Sequence, residues 1–353
     1  MHHYHKLQRI IDSHPVGAPL CDEYLEILKI LFPPDDVELA VHLNFKLKKA
    51  GELAKELGMA PEAVVERMES MANRGVILAK LVDGEHAYAL LPNYPGLFEY
   101  PVMKGVDVET QKRLAELWNA YYMIAMAAEL ASAVPPWNRI LPAEEALNTE
   151  IEVLPYEVAS AMMKNAQAIA LGNCPCRTLK QGCDKPKAVC LSFDGVARFL
   201  VEREIAKVIS FEEAMNVLKK AEEAALVHTA SNNKGQLVFL CNCCSCCCHL
   251  LRLVTEHGYR GALSPSAFEA RVDFEACIGC GICAEDRCPF GALKMNGDKV
   301  KYLQENCMGC GLCVSACPTG AISLIRRAQT GDIPTNMEEL ISSVMKNKGR
   351  RQV

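Results

Sequence analysis

Apolar residues in the first third of the chain recur at helical spacing and are punctuated by proline and glycine. Leu25, Leu28 and Leu31 share one helical face, and Pro33-Pro34 ends that helix because proline lacks the amide that would continue it. Two β-prone runs farther along are joined by Asp83-Gly84, a dipeptide typical of hairpin turns. The pattern predicts helices from Asp35, over Ala50–Gly58 and over Pro61–Arg74, then strands over Val76–Val82 and Ala87–Leu91.

This order of helix, turn, helix and hairpin resembles the winged-helix family, and we assign residues 1–105 to a helical and winged-helix-like domain. The resemblance suggests DNA binding, but residues 33–105 carry 8 basic and 11 acidic side chains. Three of the glutamates, Glu62, Glu66 and Glu69, lie on the helix that would enter the groove. DNA binders need cations to release phosphate counterions. We therefore expect a structural or protein-docking role for this domain in preference to DNA binding.

Further helical patterns divide the rest of the chain. Residues 106–140 are predicted as a linker helix, with the apolar stripe over residues 107–133. Helices are also predicted over Glu157–Ala170 and over Phe211–Ala225, the latter opened by a capping box of Ser210 and Glu213. These two belong to a central cysteine-rich α/β domain over residues 141–262, and residues 326–353 are predicted as a C-terminal helix and basic tail.

Composition limits the class of protein. A chain of 353 residues with 50% hydrophobic residues can bury a core in more than one domain, at roughly 100–200 residues each. Its net charge of −5 argues against a general nucleic-acid binder. No apolar run approaches the roughly 18 residues that span a bilayer, and we see no secretory signal. We expect an α+β multidomain protein of the cytoplasm without a membrane span.

Cysteine is the residue that changes this picture. The chain has 19 cysteines, and 18 of them lie between Cys174 and Cys317. Disulfide frameworks are typical of small secreted domains, whereas a dense cysteine block in a reducing compartment more often binds metal. The odd total and the repeated spacings also favour metal ligands.

Residues 277–318 contain the clearest repeat. The first arm, residues 277–289, and the second arm, residues 307–318, each carry three cysteines at intervals of three and end in Cys-Pro. Four thiolates suit a cubane cluster, and glycines between the cysteines allow tight turns that leave amides facing its sulfides. The extra residue before Cys288 should enlarge a loop without removing a ligand. Zinc also binds four cysteines, but the duplicated order disfavours it.

This motif resembles the bacterial dicluster ferredoxins over residues 270–325. The resemblance implies a ferredoxin-like domain with two [4Fe-4S] clusters, in which the fourth cysteine of each arm ligates the other cluster. With all four thiolates bound, neither cluster has an open site, so the domain should transfer electrons. The implied ligands are Cys277, Cys280, Cys283 and Cys317 for one cluster, and Cys307, Cys310, Cys313 and Cys288 for the other.

A second concentration of thiols, the central cysteine field, has less usual spacing. Three explanations stay open: small buried hydrophobic residues, a zinc or copper site, or one or two further iron–sulfur clusters. We favour the last, since the dicluster domain needs an electron source or sink. Arg177 would offset the charge of such a cluster or pair with a surface carboxylate. The field comprises Cys174, Cys176, Cys183, Cys190, Cys241, Cys243, Cys244, Cys246, Cys247 and Cys248.

The local pattern suggests how this field is assembled. Leu237–Leu240 is predicted as a buried strand, and Cys241 and Cys243 would continue it on one face. A helix starting at Cys244 would place Cys244, Cys247 and Cys248 together. We expect the loop Cys174–Cys176 to meet Cys241 and Cys243 at one shared centre.

The order of winged helix, Cys-x-Cys-Arg field and dicluster domain resembles poorly characterised iron–sulfur proteins of anaerobic bacteria and archaea. We expect an electron-transfer protein that relays low-potential electrons between a central metal centre and a redox protein or oxidoreductase subunit. One alternative is a redox-responsive winged-helix regulator. The other is an oxidoreductase with a catalytic metal centre in the central domain. No Walker loop or dinucleotide fingerprint supports nucleotide or flavin binding.

Overall fold

The computed structural model of the protein describes residues 1–148 and 151–350. Its N-terminal part contains the elements α1 (His2–Asp12), α2 (Asp22–Leu31), α3 (Pro34–Ala40), β1 (Lys48–Lys49), α4 (Ala50–Leu57), α5 (Pro61–Asn73), β2 (Ile77–Val82) and β3 (Glu85–Leu90). The strands form an antiparallel sheet in the order β1-β3-β2. The predicted helices and hairpin are thus present, while membership of the winged-helix family stays a prediction.

The long helical segment that follows packs onto this N-terminal part. It consists of α6 (Tyr100–Lys104), α7 (Val108–Tyr121), a widened π-helical turn over Tyr122–Met126 and α8 (Ala127–Ala131). Asp107 caps α7 by accepting hydrogen bonds from the amides of Glu109 and Thr110. The ring of Tyr121 stacks on Tyr24 of α2 with the centroids 4.7 Å apart. The segment predicted as a linker therefore shares the N-terminal core.

A seven-stranded sheet organises the central part, in the order β10-β4-β8-β9-β6-β5-β7. Neighbouring strands are antiparallel except β10 and β4, which are parallel. Because β4 and β10 belong to this sheet, it extends beyond the expected bounds of 141–262 at both ends. The strands are β4 (Asn138–Leu141), β5 (Ile169–Asn173), β6 (Ala188–Phe193), β7 (Lys207–Ile209), β8 (Val227–Ser231), β9 (Phe239–Cys243) and β10 (Leu263–Ser264).

The helices of the central part are α9 (Ala159–Met163), α10 (Pro175–Lys180), α11 (Asp194–Glu202), α12 (Phe211–Glu223) and α13 (His249–Thr255). The capping box that opens α12 is confirmed: the Ser210 side chain accepts from the amide of Glu213, and the Glu213 carboxylate accepts from the amide of Ser210. The helix predicted over Glu157–Ala170 is wrong. Only α9 forms, and Ile169 begins β5, because a short apolar run suits a buried strand as well as a helix.

The C-terminal third contains two pairs of strands, of which only the second is a hairpin. β11 (Phe268–Val272) pairs with β14 (Ile322–Arg326), and β12 (Leu293–Asn296) pairs with β13 (Lys299–Tyr302), both antiparallel. The first arm lies between β11 and β12, and the second arm between β13 and β14. The chain as a whole mixes helices with mainly antiparallel sheet, as the α+β prediction requires.

The last described residues return to the N-terminal part. α14 (Met337–Asn347) is the last helix. After it, Lys348 Nζ and Arg350 Nη1 lie 2.6 Å and 3.0 Å from Oε1 of the buried Glu129. Burial opposes ionisation, but the hydrogen bond and charge of Lys348 hold the pKa of Glu129 below its usual value. The end of the basic tail, residues 351–353, lies outside the described residues. None of the described helices is long and apolar enough to cross a membrane.

Candidate metal centres

The two arms of the C-terminal third enclose two separate small cavities. The structure brings Cys317 of the second arm to the first arm's cavity, and Cys288 of the first arm to the second arm's cavity. Cys277, Cys280, Cys283 and Cys317 line the first cavity. Cys288, Cys307, Cys310 and Cys313 line the second. These are the two sets that the ferredoxin resemblance implies.

Glycines let each arm turn tightly enough to present three cysteines to one cavity. Gly279 and Gly309 have φ angles of 69° and 72°, in the left-handed region that only glycine enters at little cost. A Cβ on Gly309 would overlap the carbonyl oxygen of Phe268, and one on Gly279 would overlap that of Asp298. Each loop is thus pressed against a neighbouring strand or turn.

Replacement of Gly309 should therefore disrupt the second cavity. We expect Gly309→Ala to lower the iron bound by the full chain, since the methyl group clashes with backbone and the φ angle is strained, at about 1–3 kcal/mol for the strain alone. Iron analysis after anaerobic purification checks this. Gly331→Ala is the matched control, because Gly331 has open space around its Cα. Equal iron in both variants would contradict the expectation.

The extra residue of the first arm widens a turn, as expected, and leaves Cys288 in place. Residues Cys283–Arg287 form a π-helical turn, and the Arg287 side chain at its end makes hydrogen bonds outside the first arm. Its Nη1 donates to the carbonyl of Glu223 at 2.9 Å, and its Nε donates to the carbonyl of Leu312 at 3.0 Å. The longer loop therefore joins the ferredoxin-like part to the end of α12.

The central cysteine field separates into two groups. We call the first the tetrad; its four sulfurs all lie within 4.8 Å of one another, and it comprises Cys183, Cys244, Cys246 and Cys247. The Cys183 sulfur lies 3.9 Å from those of Cys244 and Cys247. Cys244 and Cys247 are buried against Val189 and Leu226. All 19 cysteines of the chain are free thiols.

The other six cysteines form what we call the row, in which each thiol interacts electrostatically with the next in the order Cys190, Cys241, Cys243, Cys248, Cys176 and Cys174. Hydrogen bonds from Cys241 and Cys248 lower the pKa of Cys243 to about 5. A hydrogen bond from Cys176 lowers the pKa of Cys174 to about 7, against the effect of burial. Two of the six therefore favour the thiolate, the form that binds metal.

Arg177 stands between the tetrad and the row. It is fully buried, and its Nη1 lies 3.5 Å from the Cys244 sulfur while its Nη2 donates to the carbonyl of Asn242 at 3.0 Å. Burial opposes its charge, but the thiolates of Cys174 and Cys244 raise the pKa of the guanidinium. No carboxylate of the described chain pairs with it. Arg177 thus interacts with cysteine sulfurs and does not pair with a surface carboxylate.

A buried polar chain holds Asn242, the residue that accepts from Arg177. The Asn242 amide donates to the carbonyl of Val189 at 2.7 Å, and its Oδ1 contacts Nδ1 of His228. The other ring nitrogen of His228 lies 2.9 Å from Glu222 Oε1. All of these groups are buried, where an unsatisfied polar atom costs about 1–3 kcal/mol. This series of hydrogen bonds therefore fixes the position of the strand that carries Cys241 and Cys243.

The predicted assembly of the field is right in part. The strand is confirmed as β9, and the loop Cys174–Cys176 does approach Cys243, through Cys248. The helix expected from Cys244 is wrong: α13 begins at His249, and the preceding residues form a turn. That turn sends its cysteines in two directions, because Cys248 joins the row and the rest join the tetrad. The four cysteines expected at one shared centre all lie in the row, and the tetrad forms a second group beside it.

The helical segment that follows β3 supplies a wall of the row that the sequence did not reveal. Glu99 is buried, accepts from the amide of Gly96 at 2.6 Å, and lies within electrostatic reach of Cys174 and Cys248. Burial raises its pKa to about 8. The available signal was one acidic residue within the apolar run Leu97–Tyr100. His249 stacks on Tyr122 with the centroids 3.8 Å apart, and burial lowers its pKa to about 3.

Comparison with known proteins bears on the C-terminal third. Residues 270–324 match the family model of the 4Fe-4S dicluster domain. No solved structure matches the chain. The match, the two four-cysteine cavities and the central tetrad together indicate an iron–sulfur protein with further capacity for metal.

Proposed function

We propose that the protein relays low-potential electrons between a redox partner and a metal centre in its central part, through two [4Fe-4S] clusters. The observation that supports this most directly is the placement of two four-cysteine cavities in one small domain, with one of them against the central part. Clusters whose four thiolates are all bound exchange electrons without binding substrate. The chain supplies the thiolates, the amides that face them and the shell that limits water.

Contacts of two residues that line the second cavity, Cys310 and Arg287, support an orientation for the relay. The carbonyl of Cys310 accepts from the amide of Ala143 at 2.9 Å, and Arg287 reaches the carbonyl of Glu223. The first cavity lies at the other end, where Cys280 is exposed and Ile278 and Phe274 are 66% and 51% exposed. We propose that the redox partner docks at this first-arm end and that the second-arm site faces the central part.

We assign the central redox centre to the row. Three of its six cysteines are buried and the other three are partly buried, two of the six favour the thiolate, and Arg177 lies beside them to balance negative charge. The helical segment that follows β3 covers this group with Glu99 and Tyr122. In this proposal that segment, together with the N-terminal part onto which it packs, is an internal scaffold that shields the row from solvent.

Contacts of α5 support the same role and disfavour DNA binding. Glu69 of α5 pairs with Arg203 of the central part and accepts from the hydroxyl of Tyr88 at 2.9 Å. The two arginines of the helix region are also engaged, Arg67 with the carbonyl of Asp35 and Arg74 with Asp36. The helix that would read a DNA groove is thus partly occupied within the chain.

The full chain should therefore show no specific DNA binding at physiological salt. Gel retardation against a genomic fragment library, at several salt concentrations, measures this. Sub-micromolar, sequence-dependent binding would instead favour the redox-responsive regulator.

Anaerobic electron titration tests the relay. The two arms should bind about eight irons per chain, four in each cluster, and the row should raise the total. We expect reduced methyl viologen to transfer at least one electron to each ferredoxin-type cluster. Paramagnetic resonance spectra measure how far each cluster is reduced. Protein that contains the iron and sulfide but accepts no electrons would overturn the proposal. Cys21→Ala is the control, since Cys21 lies at the start of α2, away from both cysteine regions.

A further inference from the structure

The sulfurs of the tetrad lie closer to one another than those of the other cysteine groups. In a tetrahedral zinc–thiolate site the metal–sulfur distance is about 2.3 Å, so sulfurs at the corners lie about 3.8 Å apart. The Cys183 sulfur lies 3.9 Å from those of Cys244 and Cys247. All four sulfurs lie within 4.8 Å of one another. The spacing is that of ligands around one ion.

The same molecule provides the comparison. Within residues 1–148 and 151–350, no other group of three or more histidine, cysteine or acidic side chains has all its ligand atoms within 4.8 Å. In neither of the two ferredoxin-type sets, which line cavities, do three sulfurs all lie within 4.8 Å of one another. A cubane places four irons and four sulfides between its thiolates and so needs that greater separation. Spacing in this chain therefore distinguishes two kinds of site.

We propose that the tetrad binds a single tetrahedral divalent ion, zinc or ferrous iron, and no sulfide-bridged cluster. Both ions accept four thiolates in this geometry. The site lies outside the electron relay proposed above and does not depend on it.

Hydrogen bonds around the tetrad suit a metal–thiolate centre. Arg177 donates to the sulfur of Cys244 at 3.5 Å, and the backbone at Lys185 and Gly182 lies close to the sulfurs of Cys183 and Cys247. A Cβ on Gly182 would lie 3.2 Å from the Cys247 sulfur, so a glycine permits this close approach. Such donors to the ligand atoms are typical around bound metals, where they orient the thiolates and offset their charge.

The position of the tetrad indicates what the ion would do. Cys183 lies in residues 181–187, which form neither helix nor strand, while the other three ligands lie in the turn after β9. One ion would cross-link these two segments, as structural metal sites do. Lys187 is exposed beside Ala188, so loss of the ion should expose this loop to trypsin.

Metal analysis of the full chain tests the assignment. We expect Cys183→Ser and Cys246→Ser, purified without oxygen, each to lose one zinc or one iron per chain while acid-labile sulfide stays unchanged. Loss of zinc identifies zinc as the occupant, and loss of iron identifies iron. Cys21→Ser should lose neither. Loss of several irons with a matching amount of sulfide, or of two or more copper ions, would overturn the proposal, as would no loss of metal.

Cobalt gives a measurement that does not depend on how well the variants fold. Wild-type chain loaded with one equivalent of Co²⁺ should show the intense visible bands of tetrahedral cobalt bound to thiolates, and trypsin cleavage at Lys187 should be slower than in metal-depleted chain. Absence of these bands, with the ferredoxin-type clusters intact, would refute the tetrad alone. Failure of the electron titration, with these bands present, would refute the relay alone.

Discussion

Cys317→Ala should remove the cluster of the first arm and leave that of the second. Cys317 belongs to the second arm in sequence, but it lines the cavity of Cys277, Cys280 and Cys283. We expect the variant to lose about four of the eight irons held by the arms. Because two reduced clusters at close range interact magnetically, the remaining cluster should give an isolated paramagnetic signal.

Double variants show which cluster was lost. Cys317→Ala combined with Cys277→Ala should lose no more iron than either single variant, since both residues would serve one cluster. Cys317→Ala combined with Cys307→Ala should lose about eight irons. The reverse pattern would mean that each arm holds its own cluster, and the exchange of ligands between arms would be refuted. Cys288→Ala provides the mirror-image experiment, because Cys288 lines the second cavity.

Arg177→Met should weaken metal binding throughout the central cysteine field. The guanidinium is fully buried, touches the tetrad at Cys244 and lies near Cys174 and Cys243 of the row. Removal of one member of a buried charge pair costs about 3–5 kcal/mol, because the remaining charge stays buried without compensation. We expect earlier loss of metal from the central part on titration with denaturant, at unchanged iron in the ferredoxin-type arms.

Two further variants separate charge from shape. Arg113→Met is the matched control, since the Arg113 side chain is 54% exposed and, among the described residues, pairs only with neighbouring Glu116; its effect should stay within about 0.5 kcal/mol. Arg177→Lys keeps the charge but loses the fork that reaches both Cys244 and Asn242, and it should restore part of the metal retention. Wild-type metal retention in Arg177→Met would show that the thiolates need no buried cation.

The helices and the hairpin of the N-terminal part could be predicted because their signals are local. Proline and glycine punctuate this part of the chain, and in the central part a capping box likewise marks the start of α12. The failure at Glu157–Ala170 has an equally local cause. Ile169 and Ala170 belong to a short apolar run, and only the pairing of β5 with β6 and β7 makes that run a strand. Hydrogen bonding between distant segments decided the outcome.

The cysteines themselves show where prediction from sequence ends. The spacing within each arm is set by a loop a few residues long, so the sequence by itself determined that each arm presents three closely spaced cysteines, the pattern of the 4Fe-4S dicluster domain that residues 270–324 match. The central field depends on residues far apart in the chain, since Cys183 meets Cys247 across 64 positions. Only the tertiary structure divided its ten thiols into a tetrad and a row, placed Arg177 between them and closed the row with Glu99. Side-chain direction within the turn after β9 made that division, and packing of the whole chain, not local spacing, sets such directions.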